Sequence, residues 1–169
     1  MVRLDPRPRP RPTPTVLQLT KRTEYGLIAL VHIAERGAAG CEFVSAREIC
    51  DRYPIPRRLV AEVLKALQRC EIVESQRGPT GGYALARSPE SITLGQIVTA
   101  LEGAPPLTSC ESPILLKSGG CEVHSVCPIR SPVHRVREQL WGLLEHTSLR
   151  SLLPPATQVH YAPRAAHAR

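Results

Sequence analysis

Between residues 23 and 35, apolar side chains at Tyr25, Leu27, Ile28, Leu30, Val31, Ile33 and Ala34 fall on almost every side of a helix. That pattern predicts a helix covered on several faces and central to the core, with Gly37 and Gly40 stopping it. Ser45-Ala46-Arg47-Glu48 has the Ser-x-x-Glu form of a capping box and predicts a short helix to about Asp51. Tyr53-Pro54-Ile55-Pro56 must end it, because a residue preceding proline is pushed out of the α region; Pro56 suits the first position of a new helix. That helix, about residues 56 to 70, has Leu59, Val60, Val63, Leu64 and Leu67 on one stripe. Arg57, Arg58, Ala61, Glu62, Lys65, Gln68 and Arg69 occupy the other.

Two helices joined by a tight turn, the second with a basic polar face, make a helix-turn-helix pattern. Residues 71–75 read as a strand, Arg77-Gly78-Pro79-Thr80-Gly81-Gly82 as a glycine-rich turn, and residues 83–86 as a returning strand. A hairpin in that place is a wing, and its glycines permit positive backbone angles and close approach of the tip to another surface. The rival reading is a nucleotide phosphate loop, but the Walker lysine is missing and a strand, not a helix, follows. A further helix over 92–102 is closed by Gly103 and Pro105. The last begins near Ser131-Pro132 and carries Val133, Val136, Leu140 and Leu143 at alternating spacings of three and four, with Trp141 and Leu144 alongside. That seam suits a second helix; two heptads do not decide between a dimer and packing on the chain's own domain. The expected fold class is mainly α with a small β-hairpin wing: a winged helix-turn-helix domain plus a long C-terminal helix.

The length of 169 residues allows one compact domain with accessories. A formal charge of +7 points to an acidic partner, nucleic acid before membrane. Part of that charge lies near the start, where Arg3, Arg7, Arg9 and Arg11 stand among five prolines, a composition for an extended arm rather than a packed fold. A Pro154-Pro155 pair and an Ala, His and Arg-rich run end the chain as a tail. Apolar runs fall short of the roughly 18 residues that span a bilayer, and the N-terminus lacks the apolar stretch of a signal peptide, so a cytoplasmic protein without membrane contact is expected. The resulting division is an arm over 1–16, the winged domain over 17–103, a loop over 104–130, the last helix over 131–150 and a tail over 151–169.

In a reducing compartment the six cysteines are thiols, metal ligands or redox sensors before they are disulfides. Cys41, Cys50 and Cys70 read as small packing residues. Cys110, Cys121 and Cys127 stand in the spacing C-x10-C-x5-C within the loop, where Gly119-Gly120 and Pro128 favour tight bends that let thiolates converge. This is a place to hold a metal cluster, but three cysteines leave a four-ligand site one short. His124 lies between them and is one candidate for the fourth ligand. No nucleophile-base constellation that would mark an enzyme stands out.

Leu19-Thr20-Lys21-Arg22-Thr23-Glu24-Tyr25, the helix-turn-helix, the wing Arg77-Gly78-Pro79-Thr80-Gly81-Gly82-Tyr83 and the later cysteines occur in one order. Over roughly residues 17 to 150 this resembles the Rrf-two family of bacterial regulators, IscR-like and NsrR-like members among them; the wing is its most specific part. The resemblance implies a homodimeric winged-helix transcription factor, a repressor by expectation, whose C-terminal helices cross at the dimer interface. It implies a palindromic double-stranded DNA operator and a sensor of redox, nitric oxide or iron-sulfur status. It also implies an iron-sulfur cluster, 4Fe-4S ahead of 2Fe-2S, on Cys110, Cys121 and Cys127. The last two keep the family's usual spacing; Cys110 is displaced by an insertion over 111–117. Some members add a histidine three residues after the last cysteine, where this chain has Arg130. NsrR-like members use a carboxylate from the first helix of the partner subunit, and the matching position is Glu24. DNA contacts are expected from Ser45, Arg57, Arg58, Lys65, Arg77, Gly78, Gly81 and Gly82. Two other readings stay open: a cluster-free thiol redox sensor that also binds DNA, and a zinc-stabilised interaction module using the three cysteines and His124.

Overall fold

The computed structural model of the protein describes residues 19–103, 123 and 125–155. In chain order the elements are α1 (Lys21–Ala38), α2 (Ala46–Arg52), α3 (Arg57–Arg69), β1 (Val73–Gln76), β2 (Gly82–Leu85), α4 (Leu94–Glu102), α5 (Arg130–His146) and a 3-10 turn (Leu149–Leu152). The expected class, mainly α with a two-stranded wing, is the observed one.

α1 starts ahead of its apolar pattern because Thr20 caps it, the side-chain oxygen accepting from Thr23 N–H at 3.4 Å. Gly37 stays inside the helix, and Gly40 alone is the stop. At φ +88° its N–H bonds the Gly37 carbonyl at 3.1 Å while Cys41 N–H bonds that of Arg36 at 2.9 Å, the paired bonds of a Schellman end. As expected, α1 is central: it buries Ala29, Leu30, Ile33 and Ala34 and packs on α3, α4 and β2. α3 buries Val60, Val63, Leu64 and Leu67 and leaves Arg57, Arg58, Ala61, Glu62, Lys65, Gln68 and Arg69 exposed.

The wing begins at Val73, two residues later than the sequence suggests. Glu71, at φ 54°, is the left-handed residue of a second Schellman end: its N–H reaches the Gln68 carbonyl at 3.1 Å and Ile72 N–H that of Leu67 at 3.0 Å. The strands then pair antiparallel from Val73 with Leu85 to Gln76 with Gly82. α4 likewise begins at Leu94 rather than 92, behind a complete capping box of Thr93 and Gln96.

α5 buries none of its side chains. It is held at its C-terminal end, where Leu94 N–H bonds the Thr147 carbonyl at 2.8 Å and Leu149 N–H bonds that of Ile92 at 2.7 Å. Leu149, fully buried, and Leu153 then return to the body of the domain. The expected boundary at 150/151 therefore falls within an ordered turn. Of the cysteines read as packing residues, Cys50 packs against the core and Cys41 is half-buried, whereas Cys70, capping the C-terminal end of α3, is exposed.

Candidate nucleic-acid interface and sensor loop

Ser45 caps α2, its Oγ accepting from Glu48 N–H at 3.0 Å. The Glu48 carboxylate is used elsewhere: one oxygen lies 3.3 Å from His32 Nε2 and 2.7 Å from Arg36 Nε, both on α1. The Arg36 contact is close in distance, but its buried Nε is not aligned as a hydrogen bond. Buried His32 also meets Tyr53 edge-on with ring centres 5.5 Å apart. A small polar cluster thus ties α2 and the start of the turn to α1, on which α3 packs directly through its buried stripe. The sequence reading missed this cluster. Its one signal was an imidazole inside the otherwise apolar run of α1.

On the outward face of the helix-turn-helix, carboxylates accompany three of the arginines. Arg58 Nε donates to Glu62 at 2.9 Å, while Asp51 lies 3.5 Å from Arg47 and 3.9 Å from Arg57. Lys65, Arg69 and Arg77 are exposed and have no carboxylate partner among the described residues. The expected set Ser45, Arg57, Arg58, Lys65 and Arg77 therefore falls on α2's cap, α3 and the wing. Arg47 and Asp51, which the sequence reading passed over, belong to the same surface.

The wing glycines separate into two kinds. Gly78 sits at φ +122° in open space, a backbone shape that suits glycine. Gly81 and Gly82 face the protein itself. A Cβ at Gly81 would meet the Gln76 carbonyl oxygen at 2.2 Å, and one at Gly82 would meet that of Val44 at 2.4 Å. Beside Gly82, Val44 and Tyr83 exchange two backbone hydrogen bonds, of 2.9 and 2.8 Å, which tie the base of the wing to the residue before Ser45. The absence of these two side chains is thus accounted for by internal packing.

Cys110, Cys121 and His124 lie outside the described residues. Cys127 is half-buried, three residues before α5 begins. Among the described residues no three His, Cys, Asp or Glu side chains gather to hold a metal ion. Glu24, in the first turn of α1, is 35% exposed and accepts a hydrogen bond from Lys21, whose ammonium that bond holds above the ordinary lysine pKa. The root of the loop is held one turn away: Glu102, the last residue of α4, accepts from Thr20 N–H at 3.0 Å and from the Thr20 hydroxyl at 2.5 Å. Burial alone would raise the Glu102 pKa, but the Thr20 and Thr23 side chains, the Thr20 N–H and the Arg22 charge outweigh it and leave the carboxyl below its usual range.

No helix among the described residues is long and apolar enough to cross a membrane. The model of the Rrf2 family, the Rrf-two family above, described as an iron-dependent transcriptional regulator, matches residues 19–155. The regulator IscR of Escherichia coli is 26% identical over 137 residues, covering 81% of this chain and 80% of its own length. Among solved structures, a Listeria innocua protein described as a transcriptional regulator is 28% identical, with a TM-score of 0.67 over 90% of this chain and 96% of that one. CymR, the global cysteine regulator of Bacillus subtilis, is 25% identical, with a TM-score of 0.61 over 80% and 95%. Its relatives are regulators rather than enzymes, and the chain belongs to the Rrf2 family of winged-helix, DNA-binding transcriptional regulators.

Proposed function

We propose that the protein acts as a homodimer that lays α3 into the major groove and the wing into the adjacent minor groove of a palindromic operator. The observation that carries this reading is the surface on which Lys65, Arg69 and Arg77 stand exposed, without carboxylate partners among the described residues, beside Arg57 and Arg58. Arginines there read guanine edges or bind phosphate, and Ser45, with its oxygen accepting from Glu48 N–H, keeps a hydroxyl to donate to phosphate. The second copy covers α5, where Val136, Leu140 and Leu143 are 47%, 37% and 66% exposed along the seam. Arg77→Ala should weaken operator binding by about 1 to 3 kcal/mol if that side chain reads a base; an unchanged dissociation constant removes it from the interface.

The signal would enter through an iron-sulfur cluster held by Cys110, Cys121 and Cys127, with Glu24 of the partner subunit as fourth ligand and His124 as the substitute. Such clusters are held by thiolates, and a different donor replaces some of them in certain proteins. Glu24 fits an external role: it is partly exposed, and among the described residues its side chain pairs with Lys21 alone. Cys→Ala at any of the three positions should abolish visible absorbance after anaerobic reconstitution, and Glu24→Ala should leave the cluster labile. Full absorbance in all three cysteine variants rules the cluster out. In a second reading the same cysteines act as a cluster-free thiol sensor. Iron, sulfide and zinc analysis of anaerobically purified protein separates it, and the zinc module, from the cluster reading.

A further inference from the structure

The geometry points to Asp51 as the residue that sets how sharply the interface distinguishes its operator from other DNA. Asp51 sits in the last turn of α2 with each carboxylate oxygen turned to a different guanidinium. Oδ2 is 3.5 Å from Arg47 Nε, and Oδ1 is 3.9 Å from a terminal nitrogen of Arg57, the first residue of α3. The three side chains are 59%, 79% and 75% exposed, and exposed pairs add little to folding. Their consequence lies in what the arginines do next. Phosphate contacts dominate binding to DNA of any sequence and make it salt-dependent. At the head of α3 a phosphate must share the guanidinium groups with a carboxylate already beside them, and it meets that carboxylate's repulsion. The handicap falls in full on random DNA, where binding rests on phosphate contacts alone. At a cognate site Arg57 turns from phosphate to a base edge, where no phosphate charge opposes the carboxylate beside it, so Asp51 weakens non-cognate binding more than cognate binding.

This inference rests on the reading that α3 faces DNA. The test uses fluorescence anisotropy at about 50 to 200 mM salt, the range over which phosphate contacts dominate. One probe is a random-sequence duplex; the other is a duplex that the protein itself has selected from a randomised pool. Asp51→Asn is compared with Glu90→Gln, which makes the same charge change at an exposed position between the wing and α4. Asp51→Asn should bind the random duplex about 3- to 10-fold more tightly than Glu90→Gln, with a log–log salt slope steeper by about 1 to 2, the value for one or two added phosphate contacts. Affinity for the selected duplex should rise less. Placed in an Arg47→Ala/Arg57→Ala background, the substitution should lose its effect. The proposal is overturned if Asp51→Asn matches the control, weakens binding, or keeps its gain in that background. If Arg47→Ala/Arg57→Ala changes neither affinity nor slope, the placement of α3 on DNA fails, and the proposal with it.

Discussion

Gly82→Ala tests whether the end of the wing's glycine run serves the protein's own packing. A Cβ there would lie 2.4 Å from the Val44 carbonyl oxygen, 2.6 Å from its carbon and 3.0 Å from Ser45 N, all backbone atoms that cannot rotate aside. The wing must lift from the segment before α2, breaking the two Val44–Tyr83 hydrogen bonds of 2.9 and 2.8 Å. At about 1 kcal/mol each they account for about 2 kcal/mol. Overpacking adds about 1 to 3 kcal/mol, and the stiffer unfolded chain returns about 0.4 to 1 kcal/mol. The net is a destabilisation of about 2 to 4.6 kcal/mol, read as a lower urea midpoint at unchanged slope. Gly37→Ala is the control: it sits inside α1 with nothing within 4 Å, and should stabilise by about 0.5 to 1 kcal/mol. DNA affinity of Gly82→Ala should fall as well, because Ser45 moves with the wing base. An unchanged urea midpoint with impaired DNA binding would refute this reasoning and return Gly82 to a direct role at the DNA.

Glu102→Gln should destabilise the protein at neutral pH. Because the folded carboxyl titrates below its ordinary value, its contribution is complete above the unfolded pKa and is lost as pH falls through the depressed folded one. Urea melts of wild type and variant should therefore converge on acidification below the usual carboxylate range; a constant gap would show that charge is not the cause. Leu140→Asp with Leu143→Asp should yield folded monomers in sedimentation velocity, since α5 buries no side chain within one chain; a persisting dimer would place the interface elsewhere. Glu71→Gly should stabilise by about 0.5 kcal/mol, the relief of a left-handed non-glycine residue exceeding glycine's entropy cost. An unchanged or lower melting temperature would show that Glu71 adopts this conformation without strain.

The helices were legible because burial leaves a period in the chain, and α3 has one stripe in the core and the other in solvent as its sequence reads. Their ends were less legible. Gly37 and Glu71 defeat the usual cues, since glycine was tolerated within α1 and a glutamate took the left-handed position after α3. The wing was found by its glycines, but the positive backbone angle expected of them occurs at Gly78 and not at Gly81 or Gly82, where neighbouring backbone leaves no room for a Cβ: composition records the lack of a side chain and not the neighbour that demands it. Pairs across elements, such as His32 with Glu48 or Thr20 with Glu102, leave no spacing for a sequence reading to detect.

Those cross-element pairs bear on how a signal in the loop reaches DNA. α4 is held at both ends: its start is bonded to the chain following α5, and its last residue, Glu102, caps α1 through Thr20. The loop runs from that fixed end of α4 to the start of α5, whose described bonds to the body lie at the opposite, C-terminal end. On the cluster reading proposed above, Cys127 would bear on the end of α5 without a described anchor, and Glu24 on the same turn of α1 that Glu102 caps. On the proposed ligation, a cluster bridging Cys127 and Glu24 of the partner subunit would tie the unanchored end of one dimer helix to the first helix of the other winged domain. α1 packs directly on α3 and holds α2 through His32, Arg36 and Glu48, so such a tie would bear on the separation of the two α3 helices without contacting α3 itself.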